Sequence, residues 1–151
     1  MSEAIGITFR PATLADADAI RAIIVDTKAA TMPWLPVVHT PEEDAWWVSN
    51  ILIPTTKVTV AERDGTIVGV LSYHQGMVEQ LYILPGAQRL GIGRQLLDTC
   101  KQISPSGLRL WCFAGNTSGI AFYTAQGFRI IEETDGSRNE ERSPDLLFAW
   151  P

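Results

Sequence analysis

Ile7 and Phe9 alternate with Thr8 and Arg10 until Pro11 interrupts, which predicts a short first strand. Thr13, with Asp16 three residues on, is a start signal for the helix that follows, and Ile20, Ile23, Ile24 and Thr27 fall on one of its faces. The segment Met32-Pro33-Trp34-Leu35-Pro36 breaks that helix. Thr40-Pro41-Glu42-Glu43 reads as a capping box with proline at the first helical position, predicting a second helix to about Leu52 that Pro54 ends. Val58 and Val60 alternate with polar neighbours up to Asp64-Gly65, a hairpin signal, and Ile67 to Tyr73 reads as the returning antiparallel strand.

Val78 to Leu84 predicts a further strand closed by Pro85. Leu90 to Ile103 then carries Ile92, Leu96, Leu97, Cys100 and Ile103 at helical spacing. Leu108 to Phe113 is an apolar strand, Asn116 caps a helix running to Ala125, and Gly127 stops it. Phe128 to Glu133 and Asp145 to Trp150 read as the last strands, joined by a polar, charged stretch from Thr134 to Pro144 that is expected to be an exposed turn. Without repeats or composition breaks, residues 1–151 are expected to form a single mixed α/β domain with a partly antiparallel sheet.

Composition narrows the function. A formal charge of -5 and a pI near 4.9 lack the positive field a general nucleic-acid binder needs, so no nucleic-acid partner is expected. No stretch approaches the ~20 apolar residues of a membrane span, and Met1 to Gly6 lack a secretory pattern. A cytoplasmic protein with no membrane partner is expected. Cys100 and Cys112 are not spaced as a zinc or redox pair and read as small core residues. His39 and His74, the only histidines, have no acid or cysteine at ligand spacing, so no metal is expected. His74, at a strand end, either lines a cleft or is an ordinary polar terminus.

The most informative stretch runs from Leu81 to Arg94, where a strand, a glycine-bearing turn and a helix start follow in succession. Glycines at a helix start leave backbone N–H groups bare, and with the helix dipole and Arg89 and Arg94 they make an anion site suited to a pyrophosphate. A dinucleotide fingerprint would need glycine where Leu96 stands. A triphosphate loop would need Lys and Ser or Thr where Ile92 and Gly93 stand.

What remains, Gln88-x-x-Gly91-x-Gly93 after Leu81-Tyr82-Ile83 and Pro85, resembles the pyrophosphate-binding signature of the GNAT superfamily of acetyl-CoA-dependent N-acetyltransferases. Asn116 to Phe128 is similar to the same family's downstream motif: an asparagine cap, Phe122-Tyr123 near the helix end, then Gly127-Phe128. Gly119 stands where the family more often has alanine, a change expected only to weaken the helix slightly.

The resemblance implies a GNAT fold: a central mixed, largely antiparallel sheet flanked by about four helices. It further implies acetyl-CoA as acyl donor, its pyrophosphate held by Gln88, Arg89, Leu90, Gly91, Ile92, Gly93 and Arg94 and its pantetheine arm beside Leu81, Tyr82 and Ile83. Asn116 either bonds that arm or only caps its helix. Tyr123 matches the tyrosine that commonly protonates the departing thiolate, with a core-packing role as the alternative. Glu79, placed by two-residue alternation on the face of Leu81 and Ile83, is the candidate base for an amine acceptor, with a solvated strand-start residue as its alternative.

Trp34, Trp46 and Trp47 lie where such enzymes wall the acceptor site. With Glu42, Glu43 and Asp44 they are read either as a cation-attracting wall or as core anchors and helix-start acids. Leu146, Leu147, Phe148 and Trp150 could pair an exposed edge into a homodimer or belong to the core. The function expected is acetyl transfer to a primary amine by direct attack in a ternary complex. A non-catalytic CoA-binding sensor on the same fold is the alternative.

Overall fold

The computed structural model describes residues 6–151; the reading of Met1 to Ile5 as lacking a leader lies outside them. A seven-stranded sheet has the order β1-β2-β3-β4-β5-β7-β6. Its strands are β1 (Ile7–Pro11), β2 (Lys57–Arg63), β3 (Thr66–His74), β4 (Met77–Ile83), β5 (Leu108–Phe113), β6 (Arg129–Thr134) and β7 (Asp145–Trp150). Every pairing is antiparallel except β4 with β5. The helices are α1 (Ala17–Thr31), α2 (Pro41–Trp47), α3 (Ile53–Thr55), α4 (Ile92–Ile103) and α5 (Thr117–Ala125), with a π turn Val48–Leu52 welding α2 to α3. The expected order of strands and helices, and the mixed α/β class, are those observed.

The helices cover both sheet faces because each carries an apolar stripe. On one face Ile20, Ile23 and Ile24 of α1 meet Val58, Val60 and Val70, with Val48 and Leu52 from the π turn. On the other, Ile92, Leu96, Leu97 and Cys100 of α4 meet Leu71, Val78, Leu108, Leu110, Cys112 and Phe148. Both cysteines are buried and free, and burial pushes each thiol up to about 11.

The Thr13–Asp16 pair forms the expected box, Asp16 accepting from the Thr13 amide at 2.8 Å, although a 3-10 turn over Leu14–Asp16 precedes α1. The second box also forms, Thr40 Oγ1 accepting from the Glu43 amide at 3.1 Å. Pro54 does not end the second helical stretch as expected: the chain stays helical to Thr55. The wide turn before it and the position of Pro54 near the start of α3 make its missing N–H tolerable. β7 runs between β5 and β6, so Leu146, Leu147 and Phe148 are core and the outer edge is β6.

Candidate active site

β4 and β5 start side by side and then part. They share a single ladder pair, Met77 with Arg109, beside the bond from the Arg109 amide to the Gly76 carbonyl at 2.9 Å. Beyond it, among the described residues, Glu79 to Ile83 have no ladder partner on β5, and β5 pairs only with β7. Two diverging parallel strands leave inward-facing N–H and C=O groups free, an arrangement suited to an extended, amide-bearing guest.

The turn after β4 sits at the mouth of this gap. Gln88 Nε2 donates to the Ile83 carbonyl at 3.0 Å, stapling the turn to the strand end. Arg89 and Gly91 take left-handed φ values of 67° and 78°, and Gly91 is the residue before α4, with no side chain capping the helix. The first amides of α4 therefore have no side-chain cap. A Cβ on Gly93 would come within 3.0 Å of Phe122 Cζ, so glycine here also lets α4 approach α5.

Asn116 does cap α5, its Oδ1 accepting from the Gly119 amide at 3.0 Å. A Cβ on Gly119 would strike Asn116 Nδ2 at 2.4 Å, so glycine answers to that cap's rotamer more than to helix propensity. Tyr123 is held by three rings, with centroids 5.3 Å from Phe122, 6.0 Å from Phe128 and 5.8 Å from Phe148. Burial, with smaller contributions from Cys112 and Tyr82, pushes its phenol well above the ordinary tyrosine value. Its hydroxyl makes no hydrogen bond to a described residue. Tyr82 is likewise pushed up to about 12, mainly by burial and then by Glu141.

Glu79 lies at an interruption of the alternation along β4. β4 is bulged there: Val78 pairs with Tyr73 and Gln80 with the next residue, Ser72. Val78 and Leu81, three residues apart, consequently pack into the same core, and Glu79 is the extra residue, with its side chain exposed.

On the α1 side lies a cleft of about 700 Å³, walled by α1, the segment from Met32 to His39, α2, Gln80 and the β6–β7 loop. Trp46 and Trp47 line it, whereas Trp34 does not: its ring stands edge-on to Phe113, centroids 6.4 Å apart, and covers Gly115. Trp47 also packs on the α1-side core. His74 is exposed at the end of β3 and absent from this lining.

The periodicity of the chain did not point to the other cleft residues. Gln80 opens into the cleft on the face that Tyr82 shares. Glu140 and Glu141, read as part of an exposed turn, line its wall, and His39 reaches Glu140, Nε2 to Oε2, at 2.6 Å. The lone signal was compositional, a run of acids in a loop otherwise built for turning.

This contact raises the His39 pKa, chiefly through its hydrogen bond to Glu140. The protonated pair is therefore fully present below the ordinary histidine value of 6.5 and loosens as pH rises through the raised value. We expect NMR titration of the His39 ring to show a midpoint above 6.5 that Glu140→Gln moves back down. An unmoved midpoint in that variant would sink the pairing.

Comparison with known proteins agrees with this architecture. The family described as acetyltransferase (GNAT) domain matches residues 54–130, from α3 through the turn and α5 into β6. The peptidyl-lysine N-acetyltransferase YiaC of Escherichia coli K12 is 33% identical over 93 residues, spanning 61% of this chain and 62% of that protein. A ribosomal-protein-alanine N-acetyltransferase from Brucella melitensis is 28% identical with a TM-score of 0.72, covering 95% of this chain and 98% of that one. The PaiA N-acetyltransferase of Thermoplasma acidophilum, solved in complex with coenzyme A, shares the fold at 21% identity and a TM-score of 0.72, covering 96% of this chain and 98% of the other. A parted strand pair, an uncapped glycine turn and a family match across both place the chain in the GNAT acetyltransferase family.

Proposed function

We propose that this protein transfers the acetyl group of acetyl-CoA to a primary amine of a polypeptide, with a lysine side chain as acceptor. The observation that carries the reading is the gap between β4 and β5 opening beside the uncapped start of α4. The name of the Escherichia coli relative supports the choice of acceptor, and the coenzyme A complex of the Thermoplasma protein supports the donor.

Acetyl-CoA supplies an activated thioester. The amides of Gly91, Ile92, Gly93 and Arg94 hold its pyrophosphate, with Gln88, Arg89 and Leu90 shaping the turn. The free edge of Leu81, Tyr82 and Ile83 holds its pantetheine arm, with Asn116 on the opposite side of the gap, and a backbone N–H of β4 polarises the carbonyl.

Reaction is by direct attack in a ternary complex. The amine lone pair forms the C–N bond as the C–S bond breaks. Glu79 takes the amine proton through water at the exposed bulge, and Tyr123 gives its phenolic proton to the thiolate. The raised Tyr123 pKa keeps that proton in place at neutral pH.

Thermal unfolding with acetyl-CoA at ~100 times its Kd should raise the midpoint by about 5 to 10 °C, from roughly 2.7 kcal/mol of linkage, with ATP and NAD as controls. Release of CoA on addition of a lysine peptide should follow. No selective shift would defeat the donor assignment. A shift without turnover on any amine would favour the sensor reading instead.

A further inference from the structure

The cleft carries a charge pattern that the transfer reaction itself does not require. Five carboxylates line it, Glu42, Glu43, Asp44, Glu140 and Glu141, against two permanent cations, Arg21 and Lys28. Two of the acids are engaged: Glu43 accepts from the Thr40 amide at 2.8 Å, and Glu140 binds His39. Lys28 lies over the Tyr82 ring, 6.0 Å from its centroid. Glu42, Asp44 and Glu141 have no ion-pair or side-chain hydrogen-bond partner among the described residues.

These three sit on the walls, on the first turn of α2 and on the β6–β7 loop. Apolar residues stand beside them at the rim, Trp46 being 60% exposed and Val37 89% exposed. An exposed apolar rim beside unpaired carboxylates is the complement of a guest larger than one side chain, with cationic and aliphatic groups interspersed.

The floor supplies a second, independent observation. Ser72 lies directly across from Gln80 in the β3–β4 pair, so the two share the α1-side face, and Gln80 opens into the cleft. Gln80 is thus the uncharged polar group that the sheet presents to a guest in the cleft.

The two features divide the work. An attacking amine must be neutral, and a carboxylate beside it would hold it as ammonium. The wall carboxylates are therefore better matched to charges that stay positive throughout, while the uncharged Gln80 meets the amine end. We propose that the cleft selects lysines within basic segments of a polypeptide, Glu42, Asp44 and Glu141 binding the flanking Lys or Arg side chains while the target's aliphatic stem runs over Trp46. This rests on the acetyltransferase reading above.

The test uses terminally blocked peptides with one lysine flanked by arginines, by serines or by glutamates, with spermidine as a small-molecule arm. At low salt, kcat/KM for the arginine-flanked peptide should exceed that for the glutamate-flanked one by about 10-fold or more, shrinking as salt rises. Each of Glu42→Gln, Asp44→Asn and Glu141→Gln should cut the ratio by roughly 2- to 5-fold, and the triple variant should abolish the preference. Retention of the acetyl-CoA thermal shift would establish that these variants are folded.

Equal rates for all flanks, an unaltered preference in the folded triple variant, or spermidine outpacing every peptide would overturn the selection while leaving the transferase reading intact. Absence of the acetyl-CoA shift in the unmodified protein would remove both.

Discussion

Tyr123→Phe is expected to lower kcat by about 10²- to 10⁴-fold, the range for loss of a positioned general acid, with little change in KM for acetyl-CoA. The substitution keeps the ring, so the packing against Phe122, Phe128 and Phe148 persists. It removes one oxygen that no described protein group engages, so the thermal midpoint of the free protein should stay within a few degrees of the parent. Steady-state CoA release and thermal unfolding on the same preparation separate the two effects. The raised phenol pKa adds a sign: the group is protonated across the neutral range, so the parent's kcat should not fall from Tyr123 ionisation until well above pH 10. A kcat within threefold of the parent would reduce Tyr123 to a core residue.

Phe148→Ala should be the most damaging single change to stability. Phe148 is 0% exposed at the centre of β7, paired with Leu110 on one side and Ile130 on the other. Truncating a buried phenylalanine costs about 3 to 5 kcal/mol, which for a domain of this size lowers the midpoint by roughly 6 to 20 °C. Phe148→Leu, which refills most of the space, should cost less than half as much. The ring also backs Tyr123, so near its reduced midpoint the alanine variant should lose activity faster than it loses secondary structure. A midpoint drop under 3 °C would show that the site collapses without a cavity.

Much of this was legible in one dimension because it depends on near neighbours. The Thr40–Glu43 box, the Asn116 cap and the stripe of Ile92, Leu96, Leu97 and Cys100 involve residues within a few turns, and side-chain chemistry at that range determines backbone geometry directly. The glycine turn was legible for the same reason: Gly91 occupies a backbone conformation that the flanking residue types announce. Pro54 was misread because proline ends a helix only where its N–H is needed, and the π turn before it changes that requirement.

The acceptor side was not legible in this way. Alternation assigned Glu79 a face by counting in twos, and a bulge against Ser72 and Tyr73, visible only once β3 pairs with β4, breaks that count between Val78 and Gln80. His39 and Glu140 are 101 residues apart, and no local pattern joins them. Trp34, in the same inter-element stretch as Trp46 and Trp47, stands against Phe113 instead.

The sequence by itself determined the order of strands and helices, the uncapped glycine turn and the family, since each is written in short-range hydrogen bonding and periodic burial. Only the tertiary structure decided where β4 leaves β5 and which acids face one cleft with Gln80. Those depend on strand register and on long-range packing, which bring together residues whose own neighbours say nothing of the meeting.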